Sequence, residues 1–242
     1  MLSVMQKGYF QYQPTPILRP FVDCYWLSFG SECIQFDALP DGAIDIVYHA
    51  SPWASNTWIY GTTTRSTKIQ LMSDNCYIGI RFRPGQYRHF LSISAKALTD
   101  AHSDISTSLF RSHQSVLIEA GELEHIDRVL LKHLEKHPPV LHVMDEVMPF
   151  IQSGHMSIPD IAAVYGKSAR QFERTFTDMI GLSPSQFRVI DRFQKALKLI
   201  SQQPYIPLAE IAYAMGYTDQ SHMIRDFKRL SGRPPKDFRE LR

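Results

Sequence analysis

The sequence of 242 residues has room for one large domain or two ordinary ones, and its 44% hydrophobic and 21% charged residues suit a soluble globular protein. It holds no apolar run of about 18 residues, which excludes a transmembrane helix. The net charge of +2 is too small to imply a nucleic-acid or membrane partner by itself.

The opening stretch, residues 1–16, lacks an apolar core and a small-residue cleavage site, so no secretory signal is expected. Cys24, Cys33 and Cys76 are odd in number, with no Cys-x-x-Cys pair. That argues against a disulfide framework or a zinc ribbon and suits a reducing cytoplasm. Short runs rich in β-branched and aromatic residues follow, among them Tyr25–Leu27, Ala43–Tyr48 and Tyr77–Phe82. Turn clusters bound them, notably Leu39-Pro40-Asp41-Gly42 and Arg83-Pro84-Gly85. Such short strands predict a β-sandwich or small barrel over residues 1–112.

From about Gln86 the pattern turns helical. Over residues 115–137, Leu117, Leu123, Ile126, Leu130 and Leu134 recur at spacings near three to four, predicting an amphipathic helix. Gly121 weakens it and His137-Pro138-Pro139 ends it. Residues 113–139 are therefore expected to form a helical linker, which either pairs two chains through its leucine face or covers the barrel.

Residues 140–242 read as helical throughout and contain an internal repeat. Ile161, Ala162, Gly166 and Ser168 recur fifty positions later as Ile211, Ala212, Gly216 and Thr218. After one inserted residue, Arg174, Phe176, Gly181, Pro184, Phe187 and Arg188 recur as Arg225, Phe227, Gly232, Pro235, Phe238 and Arg239. Each copy has a short helix with a small alanine, a glycine able to take a left-handed turn, and a capping residue before a second helix: Ser168, then Thr218 or Asp219. That is the grammar of a helix-turn-helix, whose second helix enters the major groove. The recognition helices are expected at about 169–180 and 220–231.

With Phe172 and Phe176 turned inward, Arg170 and Arg174 share an outer face one turn apart. In the second copy Gln220, Ser221, His222 and Arg225 take the outer face, and Lys228 and Arg229 a turn later suit phosphates. Ser183-Pro184 opens a helix running to about Gln202, a rod of roughly 28 Å. Its apolar stripe is Phe187, Ile190, Phe193, Leu197 and Ile200. Two major-groove entries on one face of B-DNA lie roughly 34 Å apart. The charge supports this only mildly: residues 1–140 carry 12 Lys and Arg against 13 Asp and Glu, residues 141–242 carry 14 against 11.

The stretch Gly216-Tyr217-Thr218-Asp219-Gln220-Ser221-His222-Met223-Ile224-Arg225-Asp226-Phe227-Lys228-Arg229, with Gly232, Pro235 and Phe238-Arg239 after it, resembles the DNA-binding region of AraC/XylS-type transcription regulators. The resemblance covers residues from about 145 to 242. It implies a reader of two adjacent major-groove segments, usually an activator touching RNA polymerase. The family's base-contacting positions fall on Arg170, Glu173 and Arg174, and on Gln220, Ser221, His222, Ile224 and Arg225. Met223 replaces the usual aromatic residue, a tolerable core exchange. Ile224 replaces a common small polar residue, and either meets a thymine methyl or weakens the contact.

The front of the chain resembles, less specifically, a sensor domain found ahead of such regions, which implies a cupin-like β-barrel. A barrel mouth can hold a small effector. Tyr25, Trp26, Asp41, Asp45, Arg81 and Arg83 are the candidate pocket residues, set against a plain structural role for each: a tight turn at Asp41-Gly42, an arginine partner for Asp45, a core position for Trp26. His133, His137 and His142 lie close in sequence, but no acid-flanked zinc signature accompanies them, and a cupin metal site would have only His49 and His89. Neither a metal nor another cofactor is expected. The sequence has no Gly-x-Ser-x-Gly, phosphate loop or dinucleotide fingerprint, so no enzyme activity is expected. The competing reading is a protein-interaction module whose back half has lost DNA affinity.

Overall fold

Strand β7 (Cys76–Phe82) is buried at all seven positions, which happens when a sheet is covered on both faces. In the computed structural model, which describes residues 8–51, 54–105 and 121–239, β7 lies inside an antiparallel sheet with β1 (Tyr9–Tyr12), β2 (Val22–Phe29), β4 (Ile44–Ala50), β5 (Ser55–Tyr60) and β8 (His102–Asp104). The order is β1-β2-β7-β4-β5-β8. A two-stranded sheet of β3 (Ile34–Ala38) and β6 (Thr67–Leu71) completes the β layer.

Alternation along the strands sorts side chains between two cores. Ile78, Ile80 and Phe82 of β7, Ile44, Ile46 and Tyr48 of β4, and Tyr25 and Leu27 of β2 share one core. Trp26, Val47 and Tyr77 lie in the other, with Ile34 and Leu71 of the small sheet. Gly79 has no side chain because the Trp26 indole occupies the place of its Cβ.

The first core is closed by 3-10 turns at Gln86–His89 and Ala95–Leu98 and by helix α1 (Glu122–Lys136), which contributes Ile126, Leu130 and Leu134. Two expectations change here. The segment after Gln86 is not uniformly helical, because it returns to the sheet edge as β8. Gly121 does not weaken a helix interior: it precedes α1 with φ +89°, a left-handed conformation that glycine accepts without strain. The start of the expected helix at 115–120, including Leu117, and the boundary at 112/113 lie outside the described residues. The buried face of α1 packs on its own sheet, so this helix belongs to the front domain.

The rest is α2 (Val143–Ser153), α3 (Ile158–Val164), α4 (Ala169–Ile180), α5 (Pro184–Gln202), α6 (Leu208–Ala214), α7 (Gln220–Ser231) and a last 3-10 turn, Pro235–Phe238. Capping is local and complete where the repeat places it. Ser168 accepts from Gln171 N while Gln171 returns the bond, Ser183 does the same with Gln186, and Asp219, rather than Thr218, caps α7. The α5 stripe of Phe187, Ile190, Phe193, Leu197 and Ile200 is buried throughout and joins Phe172, Phe176 and Phe227 in one core. Each such phenylalanine contributes about 1.5–3 kcal/mol of burial. Among the described residues no helix is long and apolar enough to cross a membrane.

The two domains are in direct contact. The Thr99 hydroxyl donates to Gly181 O at 2.6 Å, Arg88 pairs with Asp145 at 2.5 Å, and Gln194 Nε2 donates to Pro40 O at 2.6 Å. Ser66 N donates to Leu230 O at 2.7 Å, and Arg233 pairs with Asp37 at 3.0 Å.

Candidate nucleic-acid interface

Helices α4 and α7 are the second helices of the two repeats. In each, one face is spent on the core: Phe172, Phe176 and Ile180 in α4, and Met223, Phe227 and Leu230 in α7. The short turns before them carry Gly166 and Gly216 at φ +64° and +73°. Arg170, Glu173 and Arg174 are exposed on α4. Gln220, Ser221, Arg225, Lys228 and Arg229 are exposed on α7, while His222 and Ile224 are half-buried. The spine between the units works differently from a simple rod. Helix α4 meets α5 through Phe176 on Phe187, and α7 meets it through Phe227 on Phe193. Those contacts are six residues, roughly 9 Å, apart along α5.

The repeated arginines at the end of each unit prove structural. Arg188 donates to Ile151 O at 3.1 Å and to Met156 O at 2.8 Å, and Arg239 donates to Ile206 O. Met156 and Ile206 immediately precede the first helices of their units, so each arginine ties a unit's end to its beginning.

One cluster was invisible in the sequence. Asp226, 7% exposed, faces Arg229 at 2.8 Å, Arg192 at 3.2 Å and His222 at 3.7 Å. Arg192 also lies over the Tyr217 ring at 4.2 Å. Asp226 thus anchors α7 to α5 and holds Arg229 and His222 from behind. Arg192 and Asp226 are 34 residues apart, so no periodicity announces them.

The front domain holds a cavity of about 490 Å³ between its two sheets. Of the six candidate pocket residues, Trp26, Asp41, Asp45 and Arg81 line it. Arg81 pairs with Asp45 at 2.9 Å and with Asp41, and Trp26 Nε1 donates to Asp45 Oδ1 at 3.0 Å. Burial pushes the Asp45 carboxyl up to about 7, and the Trp26 N–H works against that. The guanidinium at 2.9 Å favours the ionised form as well. Tyr25 and Arg83 are corrections. Tyr25 sits on the opposite face of β2, one residue out of step with Trp26, and its hydroxyl donates to Asp127 at 2.5 Å. Arg83 is exposed beyond the end of β7, donating to Arg19 O at 2.7 Å and facing Asp23 at 3.4 Å. Tyr9, Phe36, Trp58, Tyr60, Tyr77 and His102 also line the cavity. Strand alternation around Trp26 and Asp45 was the signal that could have found them.

His49, His133, His137 and His142 serve packing and capping. His133 and His137 stack at 4.6 Å, His142 Nδ1 caps α2 by accepting from Met144 N, and His49 stacks between Trp58 and Tyr77. Among the described residues no group of three or more His, Cys, Asp or Glu is arranged to hold a metal.

Residues 161–241 match a helix-turn-helix domain family, and residues 10–104 match a domain family of unknown function, DUF6597. The arabinose operon regulatory protein of Escherichia coli (strain K12) is 25% identical over 188 residues, which cover 66% of this chain and 62% of that protein. Residues 161–241 are a helix-turn-helix domain, and the chain is similar in sequence to AraC-type regulators. The HTH-type transcriptional regulator GbdR of Pseudomonas aeruginosa (strain UCBPP-PA14) is 28% identical over 121 residues, 50% of this chain and 32% of that protein. The chain therefore spans less than two thirds of the length of these relatives. The crystal structure of ToxT from Vibrio cholerae O395, bound to (E)-4-(8-methylnaphthalen-1-yl)but-3-enoic acid, matches with TM-score 0.50 at 10% identity. It covers 97% of this chain and 99% of that one, a likeness of two-domain fold.

Proposed function

We propose that the protein is a sequence-specific DNA-binding transcription regulator that answers to a small effector in its front domain. Helices α4 and α7 act as recognition helices in adjacent major-groove segments of promoter DNA. Arg170, Arg174, Gln220, Ser221 and Arg225 meet base edges, with His222 and Ile224 at the margin. Lys228 meets a phosphate, as does Arg229 from its pair with Asp226. Glu173 accepts from a cytosine amino group. Contact with RNA polymerase, usually as an activator, is what the resemblance to AraC/XylS-type regulators implies. Three free cysteines suit work in the cytoplasm. A homodimer would have to use a surface other than the buried leucine face of α1.

The observation that carries effector control is where the front domain grips the back one. It holds α4 at Gly181, the residue that ends the helix, and α7 at Leu230, in its last turn. The readers lie toward the free ends. The cavity wall meets the back domain at α5: Asp41, in that wall, is flanked by Pro40, which accepts from Gln194, and by Gly42, whose Cβ position lies 2.8 Å from the Phe187 ring. A change at Asp41 reaches α5 through its own neighbours in the chain.

Gel shifts over a range of salt test the reading. A steep fall of affinity with salt on a selected site is expected, from several phosphate contacts. No shift at low salt would favour the interaction-module alternative, which the balance of only 14 basic against 11 acidic residues in 141–242 motivates.

A further inference from the structure

We propose that the front-domain cavity binds an organic cation, an amine or a quaternary ammonium compound, seated among Trp26, Trp58 and Tyr60 and facing the Asp41 and Asp45 carboxylates. This rests on reading the cavity as the effector site and adds the chemistry of its occupant.

A volume of about 490 Å³ is that of a small-molecule site. Tyr9, Trp26, Phe36, Trp58, Tyr60 and Tyr77 contribute aromatic rings to its walls, and ring faces carry partial negative charge that attracts cations. The polar end has the same sign. Arg81 is 8% exposed, and both of its terminal nitrogens are engaged, Nη1 by Asp45 and Nη2 by Asp41. At mildly alkaline pH, where Asp45 is ionised despite its burial, two carboxylates against one guanidinium leave a surplus negative charge. Asp100 adds a further carboxylate to the lining, held in place by the Thr64 N–H and hydroxyl at 2.7 Å each. Lys68, exposed and also in the lining, offsets one of these carboxylates, and Asp41, Asp45 and Asp100 still outnumber Arg81 and Lys68 by one.

At the buried end an anionic ligand would have to strip a carboxylate from Arg81, because that guanidinium offers no free fork. A cation needs no displacement. It completes the pair that Arg81 leaves half-answered, and its apolar substituents replace water against the rings. Discrimination between ligands of like size then comes mainly from the sign of charge.

Titration calorimetry on the full chain at mildly alkaline pH tests this with three probes of matched size: benzyltrimethylammonium, benzyl alcohol and phenylacetate. The cation is expected to bind and to raise the melting temperature, with the other two at least about tenfold weaker. Asp45→Asn and Trp58→Leu should each weaken the cation about tenfold or more. Circular dichroism establishes that each variant folds, and Trp58→Leu decides alone should Asp45→Asn not fold. Absent cation binding, equal or tighter binding of phenylacetate, or wild-type affinity in the folded variants would overturn the proposal. Gel shifts separate it from the effector reading. Cation binding that leaves DNA affinity unchanged sinks effector control and keeps the ligand class. A DNA response to phenylacetate that Trp58→Leu abolishes does the reverse.

Discussion

The Thr99 hydroxyl donates to the carbonyl of Gly181 at 2.6 Å, joining the second 3-10 turn of the front domain to the residue that ends helix α4. The same turn lies close against Gly181 itself. A Cβ there would lie 3.0 Å from Ala95 O, 3.1 Å from Thr99 Oγ1 and 3.2 Å from Thr62 Oγ1.

This contact separates two effects that a glycine can have. Gly181 and its repeat counterpart Gly232 both end a helix in the left-handed region, at φ +82° and +74°, so alanine costs about 1–2 kcal/mol at either. Only Gly181 has atoms from the other domain against it, since nothing lies within 4 Å of a Cβ at 232. Gly181→Ala should therefore lose about 1–3 kcal/mol more than Gly232→Ala in urea unfolding. Equal losses would mean that the two domains are not packed at this point. Thr99→Val should cost about 0.5–1.5 kcal/mol by the same measurement, the net worth of one hydrogen bond.

Asp226→Ala tests the buried cluster behind helix α7. It strands Arg192 over Tyr217 and frees Arg229 and His222. The partners are partly exposed, Arg192 at 22% and Arg229 at 59% of their side chains, so water replaces part of what is lost. A loss of about 1–3 kcal/mol is expected from the urea midpoint. A loss within experimental error would show that the cluster is solvated and holds nothing.

His49 gives a pH dependence with a definite sign. Burial lowers its pKa below the ordinary 6.5, and among the described residues neither ring nitrogen has a hydrogen-bond partner. As pH falls below about 6.5 the unfolded chain takes up a proton that the folded chain resists, so folding stability drops with acid and is recovered above that value. His49→Phe, which keeps a ring between Trp58 and Tyr77, should flatten this part of the pH–stability curve. An unchanged slope in the variant would assign the acid sensitivity to other groups.

Much of the back half was legible because its signals are local. Ser168, Gly181 and Ser183 cap or end helices through bonds to residues within four positions, and the repeat shows the two units directly. What stayed hidden depends on distance in sequence. Arg192 meets Asp226, and Thr99 meets Gly181 across 82 positions, with nothing in either neighbourhood to signal a partner. The repeated Arg188 and Arg239 were visible, but their carbonyl partners were not. In the front domain, a sheet buried on both faces hides which face is which. Tyr25 and Trp26 are equally apolar neighbours, and only the fold shows that Trp26 looks into the cavity while Tyr25 looks toward α1.

Selection of binding sites from random DNA addresses the two-probe mechanism most directly. Wild-type protein should enrich two preferred segments with centres about 10 base pairs apart. Arg174→Ala should erase the preference in one segment and Arg225→Ala in the other, each at a cost of about 1–3 kcal/mol on the selected site. A single enriched segment, or variants that weaken all sequences alike, would contradict the claim that both recognition helices read bases.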